Sequence, residues 1–271
     1  MIEKFYTHDF DEEFKSIEIE MDSDKIYFYK IHEELMPFVG TDYKNSDIKV
    51  LFVGESHYVD NNWHMNEKNW RSYDIGKWVK PDWQEIFKPF SYDKEGNQLE
   101  TKDENFTSWF NTRMHANRVG NPTASEKALK NLIKRPLGVL NQTFGFTFGI
   151  KNIAFFNFFQ YPSLCNGQTI RNSINNKTWE ELFAFSLELV ARAVEIIKPD
   201  IIILLSADLY DKKDAIKSRI SEISDPGVAI CATYHAGDNR VWYHKYKKLN
   251  DKKPGDYLAD ELQKALQGLK K

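Results

Sequence analysis

The 271 residues carry 37 Lys and Arg against 40 Asp and Glu, a net charge of −3, so no global positive field marks the chain for nucleic acid or a membrane surface. Hydrophobic residues at 41% and charged residues at 28% permit a proper core and exclude compositional disorder. Two cysteines, Cys165 and Cys231, are too few for a disulfide scaffold, a four-thiolate zinc site or an iron–sulfur cluster.

The first residues, Met1 to Phe5, lack the basic and apolar regions of a signal peptide, and no run reaches the length of a membrane span. A cytoplasmic protein is therefore expected. Residues 1–47, read as an N-terminal helical extension, mix acids with aromatics, and Asp9 to Met21 and Asp24 to Leu35 are each expected to form a helix packed on the outside of the domain. Pro37, Gly40 and Asp42 mark a loop. Ile48-Lys49-Val50-Leu51-Phe52-Val53 then reads as a strand covered on both faces, since it shows no polar alternation. It stops at Gly54 and presents Glu55, Ser56, His57 and Tyr58 in succession.

A long insertion, 59–150, follows. Its first part is rich in Asn, Trp and Tyr, a composition suited to an ordered functional loop. Phe106 to Val119 and Ser125 to Leu140 are predicted helices, the second with Pro136 near its end. Asn152-Ile153-Ala154-Phe155-Phe156-Asn157 is a second buried strand. Thr178-Trp179-Glu180-Glu181 fits a capping box for a helix that runs to Lys198, where Pro199 stops it. Asp200 to Ser206 is a third strand, followed by a helix over 208–221, and Val228 to Thr233 is a fourth strand. Tyr234-His235-Ala236-Gly237 comes next, and a helix near Tyr257 to Leu269 ends the pattern. Strands alternating with helices predict one domain with a parallel sheet covered on both faces.

If the strands are parallel, their carboxyl ends share one side, which collects Gly54 to Tyr58, Asn157 to Gln160, Ser206 to Asp208 and Tyr234 to Asp238. Polar groups placed directly after apolar runs are how an open α/β sheet builds one site from distant segments.

Strand-Gly54-Glu55-Ser56-His57-Tyr58, Phe155-Phe156-Asn157, Lys198-Pro199-Asp200 before a hydrophobic strand, and Thr233-Tyr234-His235 after the last strand resemble the ordered motifs of the uracil-DNA glycosylase superfamily. The resemblance spans about residues 46–247 and rests on these four short segments. It implies a three-layer α/β/α sandwich around a four-stranded parallel sheet, and excision of a base flipped out of DNA. By the same resemblance, Gly54 is the tight-turn glycine with Glu55 beside the pocket. Tyr58 is the aromatic that excludes methylated bases. Asn157 reads the base edge, since an amide offers both donor and acceptor. His235 stabilises the departing base. The chain departs from the pattern in having Ser56 where the best-known members place a water-activating Asp, His57 where they have Pro, and His235-Ala236-Gly237 where they have His-Pro-Ser. The general base is thus unassigned: Glu55, Asp60 or Asp74 could supply a carboxylate, or catalysis could rest on leaving-group stabilisation alone.

Other readings use the same residues. Ser56, His235 and Asp238 could form a serine hydrolase set, although no glycine follows the serine as a hydrolase elbow requires. His57, His64, His235 and His244 lack the close helical spacing of metal ligands, so neither a metal nor another cofactor is expected. Arg240-Val241-Trp242-Tyr243-His244-Lys245-Tyr246-Lys247-Lys248 interleaves cations with rings, the combination that neutralises phosphates and stacks on bases. DNA or another nucleic acid is the expected partner through that patch, with no membrane and a monomeric state. The leading expectation is a nucleobase-binding protein of the glycosylase type. The others are a non-catalytic nucleic-acid or nucleotide module with a degenerate pocket, and a Ser56-dependent hydrolase.

Overall fold

The computed structural model describes residues 4–21, 23–57, 64–65, 74–87, 89–92, 98–100, 110–120, 127–163, 170–172, 174–224 and 227–269. In chain order these form α1 (Asp11–Lys15), β1 (Ile19–Met21), β2 (Asp24–Ile26), α2 (Phe28–Ile31), β3 (Phe38–Val39), β4 (Val50–Gly54) and β5 (His64–Met65). Next come α3 (Ile75–Trp78), α4 (Trp83–Ile86), β6 (Pro89–Tyr92), β7 (Gln98–Glu100), α5 (Thr112–Gly120), α6 (Lys127–Phe144) and β8 (Ile153–Asn157). The remainder is α7 (Asn176–Ile197), β9 (Ile201–Leu205), α8 (Ala207–Asp211), α9 (Lys213–Ile223), β10 (Ala229–Thr233), α10 (Asn239–Tyr243) and α11 (Pro254–Leu269).

The four strongly apolar runs are the four parallel strands β4, β8, β9 and β10, every residue of the first three buried. The central sheet is not the expected four-stranded parallel one. It has five strands in the order β10-β9-β4-β8-β3, and β3 runs antiparallel to β8, pairing Phe38 with Phe155 and Val39 with Ala154. The sheet is therefore mixed. Its fifth strand has only two residues, too few to show any periodicity in the sequence. Gly40 lets the chain pass close after β3, because a Cβ there would run into the Lys151 carbonyl. Elsewhere β1 and β2 form a hairpin, and β5, β6 and β7 form a small antiparallel sheet.

Side chains alternate across the central sheet and feed two cores. Leu51, Val53, Ala154, Phe156, Ile202 and Leu204 face α7, α8, α9, the N-terminal segments, and buried Trp78 of α3 and Trp83 of α4. Val50, Phe52, Ile153, Phe155, Ile201 and Ile203 face α5, α6, α10 and α11. Residues 1–47 are thus not a helical extension alone. Each of the two helices expected there shrinks to a short segment, α1 and α2, flanking the β1–β2 hairpin. The reason is legible afterwards: buried Ile17 and Ile19 alternate with Glu18 and Glu20, a period of two rather than 3.6.

Within the predicted insertion, α5 and α6 belong to the second core through Ala116, Val119, Leu132, Ile133 and Leu140. The Asn- and Trp-rich stretch over 58–63 and 66–73 lies outside the described residues, as do 106–109 of the first predicted helix. Helix α6 continues through Pro136 to Phe144 instead of ending near it. An interior proline costs roughly 3 kcal/mol, and burial of Leu132, Ile133 and Leu140 on the sheet offsets that.

The capping box at Thr178 is also corrected. The N-cap of α7 is Asn175, whose side chain accepts the Thr178 amide at 3.0 Å, and the helix closes on Lys198 in the left-handed region at φ 50°. Asn175→Ala is expected to lower the unfolding free energy by about 1 kcal/mol in a urea titration. Thr178→Ala, three residues into the helix, is expected to cost clearly less.

Candidate active site at the carboxyl edge of the sheet

Strand β4 pairs with β8 on one side and with β9 on the other. Beyond β4 the chain travels to β8, and beyond β8 it crosses back over β4 to β9, so the order reverses at the β4–β9 boundary. Crevices in open α/β sheets form at such reversals, outside the carboxyl ends of the strands. The ladder places Gly54 opposite Asn157, Val53 opposite Leu204, and Thr233 opposite Leu205. Continuing the β4–β9 register two residues past Val53 and Leu204 puts Glu55 beside Ser206.

These two side chains meet. Ser206 Oγ donates to Glu55 Oε2 at 2.7 Å, and both residues are buried. Burial pushes the Glu55 carboxyl up, and the Asp208 carboxylate adds to this. The Ser206 hydroxyl and the Ile170 amide oppose it, and the result is a value of about 7. At neutral pH this buried carboxyl is therefore close to its titration midpoint.

The β4 and β8 ends are zipped together past the ladder. Phe158 and Phe159 donate their amides to the Gly54 and Glu55 carbonyls at 2.8 Å each, and the Ser163 amide reaches the His57 carbonyl at 2.6 Å. Asn157 lies against Gly54, where any Cβ would collide with Asn157 Oδ1. Here glycine is required by close approach, not by a turn. Four buried polar atoms along these segments have no hydrogen-bond partner among the described residues: Glu55 Oε1, Ser56 Oγ, Asn157 Oδ1 and Gln160 Oε1. Buried polar groups are satisfied as a rule, so four orphans at and just past the ends of two paired strands stand out.

His57 turns away from that surface. Its Nε2 lies 3.0 Å from Thr112 Oγ1 on α5, and its ring is 5.8 Å from that of His115. Burial, with His115 adding, holds it well below the ordinary histidine value and therefore neutral. Tyr58 and Asp60 lie outside the described residues. Asp74 is the N-cap of α3, accepting the Lys77 amide.

His235 follows β10, on the same edge but farther along. With strands about 4.8 Å apart, Thr233 stands about 10 Å from Gly54 and about 14 Å from Asn157. The His235 ring is half-buried, and its value is lowered by burial against the pull of Asp238, with Arg135 adding to the lowering. It too is a neutral imidazole at pH 7. The loop behind it is held by Arg135 Nη1, which donates to the Ala236 carbonyl at 2.6 Å. Tyr234 is half-buried, packed edge-on against Tyr210 and Tyr246 at 5.7 and 4.7 Å.

The hydrolase set does not assemble. Asp238 caps α10, accepting the Arg240 amide at 2.7 Å and pairing with its guanidinium at 3.2 Å, while Ser56 Oγ has no base beside it among the described residues. Nor do three His, Cys, Asp or Glu side chains gather as a metal site among the described residues.

In the basic–aromatic segment Arg240, Lys245, Lys247 and Lys248 are all exposed. Arg240 pairs with Asp238, and Lys248 reaches both Asp211 oxygens at 2.9 Å. Tyr243, 59% exposed, lies under the Arg135 guanidinium. Two residues that the motifs pass over, Ser206 and Gln160, belong to the site. Ser206 was signalled only by its place directly after an apolar strand. Among the described residues no helix is long and apolar enough to cross a membrane. No protein-family model matches the chain, and no curated protein sequence matches it either.

Gly54→Ala is expected to cost about 1–3 kcal/mol, and less in an Asn157→Ala background, because the clash partner is then gone; urea melts of the three variants read the coupling. Glu55 gives a pH signature. With its folded value raised from 4.5 to about 7, the folded chain holds the extra proton, so its stabilising contribution is present below pH 4.5 and is lost as pH rises through 7. The loss amounts to roughly 3 kcal/mol. His57 and His235 act in the opposite sense, losing stability as pH falls below about 6.5. The difference between wild type and Glu55→Gln, measured by denaturation at pH 5 and pH 8, isolates the Glu55 component.

Proposed function

We propose that the carboxyl edge of the sheet is a nucleobase pocket and that the protein hydrolyses the N-glycosidic bond of a damaged base in DNA. The observation that carries this reading is the buried Glu55–Ser206 pair at the strand-order reversal, flanked by the orphaned polar atoms of Ser56, Asn157 and Gln160. A planar heterocycle with donors and acceptors around its rim is the kind of ligand that such a rigid polar array can satisfy.

In this reading Asn157 and Gln160 read the base edge, and Glu55, as a neutral acid beside them, donates to the departing base and recovers its proton from the attacking water through solvent. The bond between C1′ and the base nitrogen breaks with its electron pair on the base. Water adds at C1′ and gives up a proton, so proton count is kept through Glu55 and solvent. His235, neutral and on the same edge, meets negative charge on the departing base. The four ordered motifs that resemble the uracil-DNA glycosylase superfamily support the same assignment.

Backbone phosphates would be met by Arg240, Lys245, Lys247 and Lys248. The carboxylate partners of Arg240 and Lys248 are on the surface, where an ion pair is worth little and exchanges readily for a phosphate. A cytoplasmic setting fits the buried free thiol of Cys231, which needs no oxidising compartment.

Oligonucleotides carrying one uracil, hypoxanthine or related lesion test the proposal. Wild type should release the base, and Glu55→Ala, Asn157→Ala and His235→Ala should each slow release about 100-fold or more while melting cooperatively. Salt-sensitive binding without release of any base would instead support a non-catalytic module. Release unaffected by all three substitutions would remove the site.

A further inference from the structure

Ser206 has one hydroxyl hydrogen and two neighbours. Its oxygen accepts the Asp208 amide at 3.2 Å, capping α8, and its hydrogen goes to Glu55 Oε2 at 2.7 Å. Turning the second bond round, with Glu55 donating, would leave the hydroxyl hydrogen of a fully buried serine with no acceptor among the described residues. Oε2 is therefore the oxygen that accepts, and a proton on Glu55 sits on the other oxygen, Oε1. That atom is buried and has no partner among the described residues. The Ile170 amide acts weakly on the carboxyl, and the Asp208 carboxylate is the charged group that acts on it.

We infer that Glu55 works as a neutral carboxylic acid donating a hydrogen bond from Oε1 into the pocket, and that Ser206 is the positioning residue that keeps the proton on that oxygen. The cap of α8 fixes the serine rotor, and the rotor fixes which carboxyl oxygen is bare. The pocket thus presents one donor, Oε1–H, against two acceptors, Asn157 Oδ1 and Gln160 Oε1. Its ligand needs a carbonyl oxygen or an unprotonated ring nitrogen opposite Glu55, with N–H groups toward the two amides. Ionisation of Glu55 turns the donor into an acceptor, so a ligand selected at pH 6 is rejected at pH 8. The ligand class rests on the nucleobase reading above; the placement of the proton does not.

Infrared spectroscopy of the unliganded full chain tests the placement. The difference between wild type and Glu55→Gln at pH 6 should contain a carboxylic acid C=O band, which disappears as pH rises to 8. Ser206→Ala should shift that band to higher wavenumber, because its C=O loses a hydrogen bond, and Ser206→Thr should restore it. Glu55→Asp, which draws the acid back from the hydroxyl and leaves the cap intact, should shift the band in the same direction as Ser206→Ala. No acid band at pH 6, or a band that neither Ser206→Ala nor Glu55→Asp moves, overturns the inference. A neutral Glu55 in a protein that releases no base would refute only the hydrolase reading. Base release with Glu55 ionised at pH 6 would refute only this one.

Discussion

Strand β4 is paired on both edges, with β8 and with β9, and buried on both faces. That double pairing is the constraint from which the rest follows. A parallel strand held between two parallel partners has one allowed register, because a one-residue slip would move Leu51 and Val53 into the core that receives Val50 and Phe52. With the register fixed, Gly54 must face Asn157, and the next residues of β4 and β9 must be Glu55 and Ser206 side by side. The meeting of two polar side chains 151 positions apart is thus a result of backbone geometry.

Burial then gives this meeting its chemistry. A carboxyl set among the apolar ends of β4 and β9 loses most of the hydration that would keep it charged, and a single serine hydrogen bond does not replace it. The neighbouring histidines are neutral for the same reason, which leaves the Asp208 carboxylate as the charged group acting on Glu55. Charge is kept outside, on Arg240, Lys245, Lys247 and Lys248.

What could be read from the sequence was whatever had a long, undivided signal. The runs around Val50, Ile153, Ile201 and Ala229 have only one economical reading, and the spacing of Leu182, Phe185 and Leu189 fixes α7 against the sheet. Phe38–Val39 had no such signal, since two residues carry no period and Pro37 argues for a loop. In Ile17–Met21 the alternation was present but was outweighed by neighbouring helix formers. At the start of α7, Asn175 and Thr178 both suit a cap, and only the chain path decides between them. Gly54, Asn157 and His235 could be placed on one edge because they follow strands. Ser206 and Gln160 could not be singled out, because their importance comes from what they touch.

The shortness of β3 also bears on how the molecule meets its neighbours. The last strand of a sheet usually offers a free row of amides and carbonyls on which another chain can build. Here that position is held by two residues behind a proline, and Gly40 and Asp42 then turn their amides inward to the Ile153 and Lys151 carbonyls. The outer side of β3 is itself taken, with the Thr7 amide donating to the Val39 carbonyl at 2.9 Å and the Thr41 amide to the Phe5 carbonyl at 3.1 Å, so little template is left on that flank. Association there has to proceed through side chains, and templated aggregation from that side is discouraged by design of the backbone alone.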